Sequence, residues 1–262
     1  MKDKNKAAET NKKNTDGEIL SDEIETIYGN VQEVRRIAIA PHDKLIFPWK
    51  EKVWEVAAKD VALQKMLAEI ALIEDGDIAG LIYHPHKNEF DYDSLLGRWG
   101  YAVHVRKTER TAGGLLLAYV AGLCRFTVTG DIDFSKGYPT AEIEWFDDEE
   151  EMNPASRDEA ALVIELATMT QNVVRIAKAC GDELKQFQTA PKIPTPHVAG
   201  KIAHQMSFMQ LDTLNYFTDE QKLEMMLVRS TLERLRYCNK HMQKVVFLLE
   251  NKIPIRSRAR NN

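Results

Sequence analysis

The 262 residues include only three cysteines, Cys124, Cys180 and Cys238, odd in number and far apart. Such spacing is no disulfide framework, and no Cys-x-x-Cys pair offers a zinc site. Reduced, mostly buried thiols in a cytoplasmic protein are expected. No stretch approaches the ~18 consecutive apolar residues that read as a membrane-crossing helix. The N-terminal "MKDKNKAAETNKKNTDGEILSDE" lacks the apolar centre of a signal peptide. Positive charge is not in excess either: 35 Lys and Arg stand against 40 Asp and Glu, a net charge of −5. Phosphate backbones and anionic lipids select clustered Lys and Arg, so neither nucleic acid nor membrane is an expected partner. The one dense basic stretch, "RSRAR" at 256–260, reads as a solvated end of the chain.

Catalytic signatures are missing as well. There is no G-x-x-x-x-G-K-[ST] phosphate loop, G-x-G-x-x-G turn, H-E-x-x-H zinc helix or G-x-S-x-G elbow. His84 and His86 flank Pro85 and could meet a metal only with His42 or His104. Without a Cys or carboxylate at ligand spacing, they read as solvated loop histidines. The acidic run 147–151 lacks the turn glycine and alternating ligands of a calcium loop, and reads as a solvated strand–helix junction. No cofactor, metal or catalytic residue is expected.

What is present divides the chain. Residues 1–30 are polar and charged; they cannot bury enough surface to offset chain entropy and are expected to be disordered. From Val34 the texture alternates. "RRIAIA" (35–40), "KLIFP" (44–48) and "IAGLIY" (78–83) read as strands, and "KDVALQKMLAEIAL" (59–72) as an inserted helix. "GYAVHVRKTER" (100–110), the two-glycine turn "TAGG", and "LLLAYVAG" form a strand pair, with Gly122 placed for a bulge or bend before "LCRFTVTG". In "PTAEIEWF", Ala141, Ile143 and Trp145 point inward and Glu142 and Glu144 outward, the mark of half-buried antiparallel sheet.

Helices are expected from Asn153 on. Asn153–Pro154 and "SRDE" (156–159) are start signals, Leu162, Leu166, Met169, Val173, Ala177 and Cys180 form a stripe, and Gly181 is a stop. Thr195–Pro196 opens a second helix with a stripe of Val198, Ile202, Met206 and Met209. A capping box at Thr218–Gln221 opens a third that would run ~50 Å to about Lys252, with Pro254 as the stop. Its seam, Met225, Val228, Leu232, Leu235, Asn239, Met242, Val246 and Leu249, suits either packing on the 155–180 helix or a homodimeric coiled coil specified by Asn239. The expected fold is α+β: a curved β-barrel or sandwich with an inserted helix over 34–150, a helical bundle with a long last helix over 153–252, and a basic tail over 253–262.

Four segments in order resemble one family. The opening strand and "LIFPWK" (45–50), "GLIYHP" (80–85) with "LLGRWGYAVHVRKTE" (95–109), "AGLCRFTV" (121–128) and "YPTAEIEWFDDEE" (138–150) are similar to the Lon N-terminal domain, the substrate-recognition module of ATP-dependent Lon proteases. "FTDEQKLEMMLVRSTLERLRYC" (217–238) fits more loosely. The resemblance covers about residues 34–250. It implies a PUA-like barrel followed by a helical bundle, and recognition of unfolded or degron-bearing polypeptides in protein quality control. No ATPase or Ser–Lys protease module is present in these residues, so a non-enzymatic protein is expected, acting alone or beside a separate ATP-dependent protease. Trp49 stands where the family usually has Gly. Exposed aromatics are the expected client contacts: Trp49, Trp54, Phe90 and Tyr92 foremost, with Tyr83 and Trp99 more suited to the core. The rival readings are a PUA-like RNA-binding protein, and a ligand or metal sensor or unrecognised enzyme using the His84–His86 loop.

Overall fold

The computed structural model describes residues 35–73, 77–85, 90–146, 148, 157–179, 192–213 and 217–259, and the side chains of 157, 177–179, 212–213 and 252–259 are outside this description. The tail 1–30, His86, the Asn153–Pro154 start signal, Ser156 of the second one, Cys180 and Gly181 therefore lie outside the described residues. The fold is α+β. Six strands, β1 (Arg36–His42), β2 (Glu51–Val56), β3 (Asp77–Tyr83), β4 (Trp99–Arg110), β5 (Leu116–Asp133) and β6 (Thr140–Phe146), form one sheet. Helix α1 (Val61–Ile70) is inserted between β2 and β3. After the strands come α2 (Arg157–Ala179), α3 (Pro196–Lys201), α4 (Ala203–Thr213), α5 (Asp219–Leu227) and α6 (Thr231–Ala259).

The strand order is β2-β5-β4-β3-β1-β6, and β6 pairs with β5 as well as β1. The ladder thus returns on itself, leaving β2 as an extra strand on the outside of β5. Among the described strands only β1 and β3 run parallel, joined by a crossover that includes β2 and α1. Because the ladder returns, one set of alternating side chains meets from five strands: Ile37, Ile39, Ile78, Ile82, Ala102, Cys124, Phe126, Val128, Ala141 and Ile143 form a buried cluster. Phe126 fills its middle. A Cβ on Gly80 would sit 2.8 Å from the Phe126 Cζ, and one on Gly100 would fall on the same ring and 2.7 Å from the Leu81 carbonyl oxygen. Those glycines are needed for close approach, not for turning.

The other face is also covered. Ala79, Leu81, Tyr101, Val103, Val105, Leu116, Ala118 and Val120 belong to the larger core, with Met66, Leu67 and Ile70 of α1. The expected half-buried alternation therefore fails on β4, where residues 100–105 are all buried. Period-2 patterning of Val, Ala and Tyr is silent about which of two apolar faces meets solvent.

Four further expectations change. Residues 44–48 are not a strand. They lead into a turn in which the Lys50 N–H donates to the Phe47 carbonyl (3.1 Å), with Pro48 and Trp49 at the centre and Trp49 at φ 60. Pro followed by a positive φ is the type II pattern. "EKVWEV" immediately after is the strand that the apolar run at 44–48 obscured.

The second helix breaks at Ile202, and its buried face is Ala199, Ala203, Ser207, Phe208 and Leu211, while Val198 is exposed. The third breaks too: α5 ends at an extended Val228 (φ −66, ψ 126), and α6 restarts with the Ser230 hydroxyl accepting the Glu233 N–H. The Thr218 capping box is formed in full. Pro254 does not end α6, which continues to Ala259. The seam packs inside on α2 through Leu235, Asn239 and Met242, joined by Cys238 and Val245 outside the expected seam, and Asn239 Nδ2 donates to the Leu162 carbonyl and to Glu165 (3.1 Å each). Asn239 thus has intramolecular partners.

The Gly100→Ala substitution is expected to lower stability by about 1–3 kcal/mol through overpacking. Phe126→Leu in the same chain should recover part of that loss, so denaturant titrations of the two single variants and the double variant give a non-additive cycle. Additivity would mean that Gly100 does not make room for the ring.

Candidate functional site

Two adjoining cavities that share lining residues of β2 make up a trough beside that strand. Its larger part, about 800 Å³, lies between β1, β2 and the start of α1 and is lined by Pro41, Trp54, Val61, Tyr92 and Tyr138 among others. Its smaller part, about 380 Å³, lies between β2 and the loop 42–46. Asp43, Trp54 and Glu55 line both. Charges along it are mixed, with Asp43, Glu55 and Asp60 against Lys44, Lys52 and Lys59.

The far wall is held in place. The Tyr101 hydroxyl donates to the Lys44 carbonyl (2.5 Å) and lies 3.0 Å from His42 Nδ1. Burial, and then the Asp43 charge, push the Tyr101 phenol well above its ordinary range, so it stays a donor. Trp54 meets His42 edge to face, ring centroids 5.1 Å apart. At one end of the trough a row of rings continues outward: Phe90 to Tyr92 at 4.9 Å and Tyr92 to Phe134 at 5.5 Å. Phe134 is exposed.

The four sequence candidates separate. Tyr92 lines the trough, and Phe90 stands behind it, half-buried against Tyr92 and His84. Trp54 forms the floor but is only 3% exposed, so its expected role as an exposed contact is corrected: it alternates onto the inward face of β2 with Val56. Trp49 is elsewhere. Its N–H donates to the Gly122 carbonyl (2.8 Å), and the Gly122 N–H donates to Lys50 (2.9 Å), so Trp49 and Lys50 together oppose one residue. That is a bulge with the left-handed residue first, the position usually taken by glycine. A left-handed non-glycine costs about 1–2 kcal/mol. The Trp49 ring packs on His204 (4.8 Å) and Phe208 (6.3 Å), and such pairs, at about 0.5–1.5 kcal/mol each, offset it. Gly122 is required there, because a Cβ would strike the Phe47 carbonyl group.

Beneath Trp49 lies a cluster that the sequence reading misassigned. Asp148, expected in a solvated run, has a fully buried side chain. It pairs with Arg125 of β5 and Arg234 of α6, and accepts from the Thr231 hydroxyl (2.9 Å). His204 Nδ1 lies 3.0 Å from it. Two guanidiniums exceed one carboxylate. The surplus is met by carbonyls at the end of α5: Arg125 donates to Met226 (2.6 Å) and Val228 (2.9 Å), and Arg234 to Val228 (2.7 Å). Ring faces add to this, Phe208 under Arg234 (4.0 Å) and Phe146 under Arg125 (4.7 Å). The break at 228–230 supplies those carbonyls, and the S-x-x-E pattern at Ser230–Glu233 is the sequence signal for it. Burial alone would raise the Asp148 carboxyl, but the hydrogen bonds from His204 and Arg234 overcome it and hold the carboxyl far below the usual range. This cluster is structural: nothing in it opens on the trough. Burial also pushes the Cys238 thiol up to about 12, which leaves it unreactive. Among the described residues no group of three or more His, Cys, Asp or Glu could hold a metal, and no helix is long and apolar enough to cross a membrane.

These features define a class first: an α+β fold with a returning five-strand ladder, an outer strand and helices locked to it through a buried ion cluster. That fold is the fold of Lon N-terminal domains. The chain is similar to the N-terminal domain of a Mycobacterium avium complex Lon protease, with a TM-score of 0.53 and 14% identity over 80% of this chain and 98% of that one. A Lon N-terminal domain protein from Xanthomonas campestris also matches, with a TM-score of 0.48 and 11% identity over 78% of this chain and 96% of that one. No family model matches, and no curated protein does.

Because the Asp148 pKa is depressed on folding, the stability it confers is complete above the unfolded carboxylate value of ~3.9 and drains away as pH falls toward the lower folded value. Thermal melts of the wild type should therefore weaken progressively below about pH 4. Asp148→Asn should lose roughly 3–5 kcal/mol at neutral pH, because two buried guanidiniums lose their counter-charge, and should lack that part of the acid dependence. An equal acid slope in both proteins would exclude Asp148 as its source.

Proposed function

We propose that this protein is a non-enzymatic polypeptide-recognition module of the cytoplasm, which holds unfolded or degron-bearing chains in the trough along β2. The returning ladder supports a PUA-like barrel reading, and the packing of α2 with α6 supports a bundle. The observation that carries the function is the trough itself. It has an aromatic floor and rim in Trp54 and Tyr92, and carries acids and bases in equal number. Mixed side chains suit extended polypeptide, whereas a phosphate backbone would need a basic stripe. The Mycobacterium avium complex match, itself a Lon protease domain, supports the fold on which this reading rests. A role beside a separate ATP-dependent protease follows the same analogy, and an apolar strip at Phe247–Leu248 of α6 is the surface a second copy would use.

Fluorescently labelled lysozyme, unfolded by reduction and carboxymethylation, is the probe. Saturable binding by anisotropy is expected, with native lysozyme ignored. Tyr92→Ala and Val61→Asp, both in the trough lining, should each weaken it about tenfold, or ~1.4 kcal/mol. Absence of saturable binding, or equal binding by both variants and wild type, refutes the assignment, and salt-sensitive capture of single-stranded RNA instead would favour the RNA-binding alternative.

A further inference from the structure

Among the described residues strand β2 has one neighbour. It pairs with β5 from Glu51↔Ala121 to Val56↔Leu116 and ends the strand order. The Gly122 N–H bonds the Lys50 carbonyl, which sets the phase of that ladder. In an antiparallel pair the hydrogen-bonded residues alternate, so Lys52, Trp54 and Val56 face β5. Glu51, Val53 and Glu55 turn their N–H and C=O groups the other way, and Val53 and Glu55 line the smaller part of the trough. Among the described residues none of these three has a backbone partner on that side. Val53 is 50% exposed. The free stretch is bounded at one end by the Trp49–Lys50 bulge and at the other by Gln64, whose Nε2 donates to the Val56 (3.4 Å) and Ala57 (3.0 Å) carbonyls. Opposite it, the Tyr101–Lys44 bond holds the loop 42–46 away, which keeps a gap of about 380 Å³.

We infer that the bound polypeptide adds to β2 as a seventh strand, with main-chain hydrogen bonds to Glu51, Val53 and Glu55. This inference rests on the polypeptide-recognition reading and specifies its mode. A row of alternating donors and acceptors is a template that another extended backbone satisfies independently of its sequence, as a receptor of varied unfolded chains requires. Charge selects the occupant. Two copies of β2 paired antiparallel about Val53 would set Glu51 opposite Glu55, a like-charge pair that opposes association. A client strand with an apolar residue beside Val53 and a Lys or Arg beside Glu55 fits instead.

The test uses the full chain and the same carboxymethylated lysozyme. Val53→Pro removes one outward N–H and no bond to β5, a position where an edge strand tolerates proline; Val53→Thr keeps the N–H. Binding should fall at least about tenfold in the first and stay within about threefold in the second. Amide hydrogen exchange on the wild type, resolved by NMR, supplies a readout that does not depend on the variant folding. Glu51, Val53 and Glu55 should gain protection when probe is added, while Lys52, Trp54 and Val56 are already slow. Unchanged exchange at the three, protection of them before any probe is present, or full binding by a folded Val53→Pro overturns strand addition. If wild type still binds the probe in those cases, polypeptide recognition survives and only its mode is wrong. If wild type binds no probe at all, both fall together.

Discussion

The carboxylate of Asp148, closed between the guanidiniums of Arg125 and Arg234, is the constraint that the rest of the molecule is arranged around. One arginine comes from the sheet and the other from the last helix, while the acid belongs to the segment that leaves β6. Bringing three charges out of water is costly unless each finds partners. The partners found here are informative about the architecture: carbonyls freed by the break before α6, the Thr231 hydroxyl at its start, and the rings of Phe208 and Phe146. The break in the helix and the burial of the charges are therefore one feature. A helix unbroken from Thr218 onward would keep the Met226 and Val228 carbonyls for itself.

Trp49 links this lock to the trough. Its backbone, in the left-handed region, makes the bulge that aims β2 along β5, and its ring rests on His204 and Phe208 beside the ion cluster. The residue that determines where the free edge of β2 begins is thus also the one that couples that edge to the helices. Gly122 across from it allows the two backbones to meet. A strand anchored this firmly on one side can leave its other side open without fraying, because the bulge and Gln64 secure both of its ends.

Much of this was legible in the residues. The strands at β1, β3, β4 and β6 follow from alternation, α1 from apolar spacing, the Thr218 cap from its box, and the likeness to Lon N-terminal domains from four ordered segments. The site was legible only in part. Tyr92 falls on the trough and Phe90 next to it, but Trp54 is the floor and Trp49 an interface residue, since an aromatic side chain has the same pattern whether its ring meets core or solvent. Asp148 looked like its acidic neighbours for the same reason: its burial is a property of Arg125, 23 residues away, and Arg234, 86 residues away.

By itself, then, the order of residues determined what depends on neighbours within a turn or a strand: periodicity and caps. Only the tertiary structure decided that both apolar faces of β4 are covered and where the third helix breaks. It also decided which carboxylate of the acidic run goes inside and which edge of the sheet stays open. Each of those outcomes is set by contacts between residues far apart in the chain, where solvation and pairing are decided by what the fold brings alongside and local pattern carries no information about it.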